Sequence, residues 1–202
     1  MATFYWINHS GSAKYQYAYE DVTLKGYDRS TCAQCGRTVA TPQYSDDVPR
    51  LILEGGSVYP DYLQFCGAGK QMFLVSEKVL NLFDENKVSG YSEPQPIFAE
   101  TISLKKCAMP IPNYYSLRIT GRIDLDTAAM HLKKKKTCPK CNQFEWSRMR
   151  LEPLLPDPAT WDGSDLCLLS SIPGYRLCTD RVKKLIVKHK LTGFSFKAQQ
   201  DK

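Results

Sequence analysis

Two stretches of the chain carry the same order of apolar and polar positions. Residues 76–92 read SEKVLNLFDENKVSGYS and residues 179–195 read TDRVKKLIVKHKLTGFS, aligned without a gap at an offset of 103. Val79, Leu82 and Phe83 fall on one helical face, as do Val182, Leu185 and Ile186. Each segment opens on a good N-cap, Ser76 or Thr179, followed by an acid, Glu77 or Asp180, where the helix dipole favours negative charge. The pattern predicts helices over 76–87 and 180–190. Lys87, and Lys188 with Lys190, stand near the C-terminal ends, where cations are favoured. Gly90 and Gly193 then supply the positive φ that turns the chain into a short strand, 91–92 or 194–196. Residues 71–75 and 174–178 read as the strands before the helices, and 4–7, 15–19, 50–53 and 114–119 have strand-favouring compositions. Pro-rich stretches at 94–96, 110–112 and 153–158 mark loops.

The similarity extends beyond the helices. Val79/Val182, Leu82/Leu185, Lys87/Lys190, Gly90/Gly193 and Ser92/Ser195 are identical pairs. Cys32-Ala-Gln-Cys35 recurs as Cys138-Pro-Lys-Cys141 at an offset of 106, and Asp61-Tyr-Leu has a counterpart in Asp165-Leu-Cys. The expected class is α+β, built of two related halves, 1–108 and 109–202, with their junction at the middle Pro-rich stretch. Each half holds strands, a CxxC knuckle and one main helix, and a shared four-cysteine, zinc-ribbon-like site joins them.

Composition changes this picture little. With 202 residues, 43% hydrophobic and 24% charged, the chain lies outside the collagen-like, disordered and low-complexity classes. No run approaches the roughly 18 apolar residues of a membrane span, and the first residues have neither a basic region nor an apolar core of a secretory signal. A soluble, cytoplasmic protein is expected. Charge is uneven: residues 1–101 hold 8 Lys+Arg against 12 Asp+Glu, net −4, whereas 102–202 hold 19 against 9, net +10. That split fits a basic surface for an acidic partner, or attraction between the halves themselves.

The eight cysteines carry the candidate chemistry. In a reducing compartment tight pairs read as metal ligands or redox dithiols. Two CxxC turns supply four soft ligands for a tetrahedral metal, and Gly36 and Asn142 after the pairs tolerate the left-handed backbone of a knuckle. Cys32, Cys35, Cys138 and Cys141 are therefore assigned to one structural Zn²⁺, with iron–sulfur ligation open on ligand type alone. A redox dithiol fits two unlike copies less well. Cys66, Cys107, Cys167 and Cys178 stand alone and read as core packing.

No catalytic constellation stands out. His9, His131 and His189 form no metalloprotease pattern, and Walker A, GxSxG and GxGxxG motifs are missing. His189 reads as solvated, and Asp61 and Asp165 as partners of turn groups. A closed four-cysteine site has no open position for activated water. The expectation is a non-enzyme. Lys133–Lys136 with Lys140, Arg148 and Arg150, near Phe144 and Trp146, is the densest basic run; it reads as a solvated loop beside a core strand, or as a nucleic-acid contact of a zinc ribbon.

Taken together, Cys32-Ala-Gln-Cys35-Gly36, Cys138-Pro-Lys-Cys141 and the ending Asp165-Leu-Cys-Leu-Leu … Cys178-Thr-Asp-Arg-Val182 … Leu191-Thr-Gly193-Phe resemble the bacterial double-CXXCG-motif family. The islands spread over most of the chain; Asn142 departs from the glycine of the motif. The resemblance implies an immunity protein that binds and blocks a cognate toxin. The alternative from the residues is a zinc-ribbon nucleic-acid-binding protein.

Overall fold

Sixteen strands and two helices follow one another in the computed structural model, which describes residues 3–20, 24–44, 50–65, 73–101, 107, 109–141, 144–147, 154–170 and 174–198. The first eight strands are β1 (Phe4–His9), β2 (Gln16–Glu20), β3 (Leu24–Thr31), β4 (Thr38–Tyr44), β5 (Arg50–Gly55), β6 (Tyr62–Phe65), β7 (Phe73–Ser76) and β8 (Gln95–Thr101). The rest are β9 (Tyr114–Leu117), β10 (Gly121–Leu125), β11 (Lys134–Thr137), β12 (Phe144–Trp146), β13 (Pro156–Asp157), β14 (Leu166–Leu169), β15 (Arg176–Thr179) and β16 (Phe194–Ala198). Helix α1 (Glu77–Glu85) follows β7 directly, and α2 (Asp180–Lys188) follows β15. The architecture is mixed α and β. Cys66, Asn142, Arg148, Arg150 and the start of the strand expected at 71–75 lie outside the described residues.

Six strands close a barrel in the order β2-β5-β8-β9-β7-β6. Six more form a sheet in the order β13-β10-β14-β15-β1-β16. The sheets do not follow chain order: β1, at the start of the chain, sits between β15 and β16, and β9 sits between β7 and β8. Hairpins β3–β4 and β11–β12 stand apart as two-stranded sheets.

Both helices pack into one buried cluster. Val79, Leu80, Leu82 and Phe83 of α1 meet Val182 and Ile186 of α2 there, with Tyr62, Leu117, Leu166 and Cys178. Each fully buried aliphatic or aromatic side chain contributes about 1.5–3 kcal/mol. A second cluster, with Phe4, Ile123, Cys167 and Leu177, covers the other side of the sheet; a third, with Ala18, Leu53, Leu63 and Leu74, fills the barrel.

Two local expectations are corrected, the N-caps and the Pro-rich loops, and the turn glycines behave as expected. Ser76 and Thr179 occupy the N-cap positions with extended backbone but make no side-chain cap; their hydroxyls donate instead to Asp61 Oδ1 at 3.0 Å and Asp165 Oδ1 at 3.1 Å. Gly90 (φ 94°) and Gly193 (φ 86°) take the expected positive φ, and the lysines that end the helices, Lys87 (φ 50°) and Lys190 (φ 52°), take it too. Val88 N–H then reaches Phe83 O at 2.9 Å and Leu191 N–H reaches Ile186 O at 3.1 Å, closing a Schellman cap whose apolar residues are buried. Gly90 and Gly193 make a second left-handed turn, where a Cβ would meet backbone oxygens of Leu166 and Tyr62 at 2.1 and 2.2 Å. Finally, two of the Pro-rich stretches enter strands. Pro96 pairs with Tyr115 beyond the reach of β5, which covers only Phe98–Thr101 of β8, and Pro156 lies on the two-residue edge strand β13. Neither position requires the missing N–H on its open side.

Candidate metal centre

The two expected knuckles stand at the tips of the free hairpins. Cys32 follows the last residue of β3, its N–H donates to Arg37 O at 2.9 Å, and Gly36 N–H returns to Cys32 O at 2.8 Å. Gly36 takes φ +70° with open space around its Cα, so the turn closes without strain. Cys138 follows β11 in the same way. The chain thus presents each CxxC on a tight turn between two antiparallel strands.

These turns meet although their cysteines are 106 residues apart. Cys32 Sγ lies 3.8 Å from Cys138 Sγ and Cys35 Sγ lies 3.8 Å from Cys141 Sγ. All four sulfurs lie within 4.8 Å of one another. Four sulfurs about 2.3 Å from a central ion stand about 3.8 Å apart along each tetrahedral edge. The arrangement therefore has the dimensions of a four-thiolate metal site, with one pair from each hairpin.

The electrostatics prepare the ligands. Backbone N–H donation from Cys35 and then Gln34 lowers the Cys32 thiol from 9.0 to about 6. At Cys138 the N–H of Cys141 is the main cause of a shift in the same direction, outweighing burial. Both sulfurs are biased towards the thiolate that binds metal. Cys35 is exposed and Cys138 buried, so the centre has one side toward solvent. Four thiolates at these distances are a donor set for a soft or borderline metal ion.

The remaining cysteines divide. Cys167 and Cys178 are fully buried, and burial pushes both thiols up, Cys167 to about 12. Cys107 accepts from Gln16 Nε2 at 3.2 Å, a polar contact rather than simple core packing. Lys134–Thr137 form β11, leading straight into Cys138, with Lys133 exposed before it. His131 and His189 are exposed, the latter capping α2. His9, given no role by the sequence, is half-buried with a ring stacked on Tyr62; nothing in its local sequence signals this.

Asp61 anchors the segment after α2, and Asp165 the segment after α1. Asp61 Oδ2 accepts from Thr192 N–H at 2.7 Å and Thr192 Oγ1 at 2.9 Å. Asp165 Oδ2 accepts from Ser89 N–H at 3.0 Å and Ser89 Oγ at 3.2 Å. Arg181 pairs with Asp165 and donates to Asn86 O at 2.8 Å, so it also covers the C-terminus of α1. These carboxylates are occupied by structural donors.

No protein-family model matches the sequence, and no curated protein matches it.

Proposed function

We propose that this chain is a non-enzymatic immunity protein: two copies of one unit, fastened by a structural zinc ion, that bind and neutralise a toxin in the cytoplasm. The observation that carries the reading is the meeting of the two CxxC turns with tetrahedral dimensions. The double-CXXCG pattern turns on that pair of knuckles, and reduced thiolates belong in a reducing compartment.

The two-copy reading has its own support. Starting from β5, the barrel runs β5-β2-β6-β7-β9-β8, and the sheet runs β13-β10-β14-β15-β1-β16. The five successive pairings have the same sense in both: antiparallel, parallel, then three antiparallel. Register agrees as well, with Tyr62 opposite Val75 in one and Leu166 opposite Cys178 in the other. Each unit lends its first strand to the other: β1 completes the second sheet and β9 the barrel. The zinc then sits between equivalent hairpins.

The experiment is co-purification with the product of the adjacent upstream gene. A stoichiometric complex with affinity on the order of nanomolar, about −12 kcal/mol, is expected, burying on the order of 1,600 Å². Protection of toxin-producing cells should require near-equimolar amounts. Protection at strongly substoichiometric levels refutes a binding mechanism, and steeply salt-dependent binding to nucleic acid without toxin binding favours the zinc-ribbon alternative.

A further inference from the structure

The two strand sets diverge in the connection that follows their first strand. Between β9 and β10 it spans residues 118–120; between β1 and β2 it spans 10–15. This longer connection walls a cleft of about 380 Å³, together with His9, Gly55, Gly56, Pro60, Tyr62 and Gly193. The wall is fixed: Ser10 N–H donates to Gly193 O at 2.9 Å, and Val58 N–H to Lys14 O at 3.0 Å. At Gly56 a Cβ would stand 2.1 Å from Lys14 O, so glycine is what lets the loop close down here.

His9 is the unusual member. Its ring stacks on Tyr62 with centroids 4.5 Å apart and planes 17° from parallel. Its Nδ1 is buried and has no hydrogen-bond partner among the described residues. An orphaned buried nitrogen costs free energy that a purely structural residue would avoid. Two residues beyond β9 the corresponding place is taken by apolar Ile119, which bridges Tyr91 as His9 pairs with Phe194. The surroundings favour negative charge. No acid lines the cleft, Arg176 donates to the hydroxyl of Tyr62 at 3.3 Å, and the N–H groups of Gly11 and Ala13 have no acceptor among the described residues.

We infer that this cleft is a binding site for a peptide carboxylate, an acidic side chain or a chain end, held by the His9 imidazole and the N–H groups of Gly11 and Ala13. The inference does not depend on the toxin reading, since the site is built by this chain alone.

The test is an NMR titration of the full-length, zinc-loaded protein, following histidine imidazole and backbone amide resonances. N-acetylglycine probes a chain-end carboxylate, N-acetylaspartate α-amide a side-chain carboxylate, and N-acetylglycinamide is the neutral control. Saturable shifts of His9 and of residues 11–13 with either carboxylate, and not with the amide, are expected, while His131 and His189 stay unmoved; the tighter carboxylate identifies the source. His9→Phe, which keeps a ring on Tyr62, should weaken binding at least tenfold. Ser12→Asp, at an exposed rim position, should weaken it as much by placing an acid in the site. Absence of saturable shifts, equal response to the neutral amide, or unchanged binding in both variants overturns the proposal.

Discussion

Replacing Asp165 by Ala should destabilise the protein by about 2–4 kcal/mol, and replacing Asp61 by Ala by about 2–3 kcal/mol. The side chains of Asp61 and Asp165 are 14% and 13% exposed. Each accepts a backbone N–H from the other half, Thr192 at 2.7 Å or Ser89 at 3.0 Å. Truncation leaves that N–H without its acceptor, worth about 1–3 kcal/mol. The hydroxyls of Ser76, Ser89, Thr179 and Thr192 rotate to other partners and add less. Arg181 is 51% exposed and Lys78 60%, so their ion pairs contribute at most about 1 kcal/mol each after solvent screening. Urea unfolding with an unchanged m-value is the assay. The two losses should agree within about 1 kcal/mol, because the shared element is the N–H anchor rather than the unequal ion pairs. A cost below about 0.5 kcal/mol for either variant refutes the anchoring argument, and a large cost at Asp165 alone assigns it to Arg181. Burial pushes the Asp165 carboxyl up, but donation from Arg181, Ser89 and Thr179 outweighs it and holds the group below its usual 3.8. Its stabilisation is therefore complete above that value and is lost as pH falls through the lower folded value.

Elemental analysis should find one zinc per chain, and Cys35→Ser should lower that stoichiometry. The same variant should speed amide exchange in both hairpins at least tenfold while β14 and β15 stay protected; retained zinc with unchanged exchange removes Cys35 from the ligand set. Burial first, and then the Arg176 charge, lower the His9 imidazole from 6.5 to about 4. Between those values the unfolded chain binds a proton that the fold does not, so stability falls as pH drops through that window. His9→Phe should flatten this part of the Tm–pH curve, and parallel curves would show that His9 does not contribute it. Gly90→Ala combines a φ of +94° with a Cβ 2.1 Å from Leu166 O and should cost about 2–5 kcal/mol. Gly11→Ala, at φ +63° with open space, should cost about 1 kcal/mol by the same denaturation assay; equal losses would refute the role given to the close approach.

The helices, most strand cores and all four cluster cysteines were legible because their signals are local. Apolar spacing places α1 and α2 within two residues, and CxxC spacing names the sulfurs before they meet. Strand partners carry no such signal. Phe4–Ile7 reads as a strand, but nothing within it says that the neighbours of β1 are β15 and β16 rather than the nearby β2. Pairing is decided by which faces must be buried, and Phe4 finds its cluster with Leu177 and Ile123. Very short strands also escape: β13 has two residues, one of them proline. The N-caps were misread for a related reason, since Ser76 and Thr179 have the expected backbone but a buried carboxylate competes better for the hydroxyl than the helix does.

The hairpins are where a metal held by the four cysteines would matter most. β3–β4 and β11–β12 each stand as two-stranded sheets, and an isolated two-stranded ribbon is marginal in water. β1 lies between β15 and β16, β9 lies between β7 and β8, and both helices pack into one cluster, so the two large sheets need no further clamp. At the hairpin tips a metal on the four sulfurs would order two ribbons at once. The strand that enters Cys138 reads Lys134-Lys-Lys-Thr137, which would repel itself and favours no sheet on propensity. A metal held by the four thiolates would supply, through Cys138, the order that this run lacks on propensity alone.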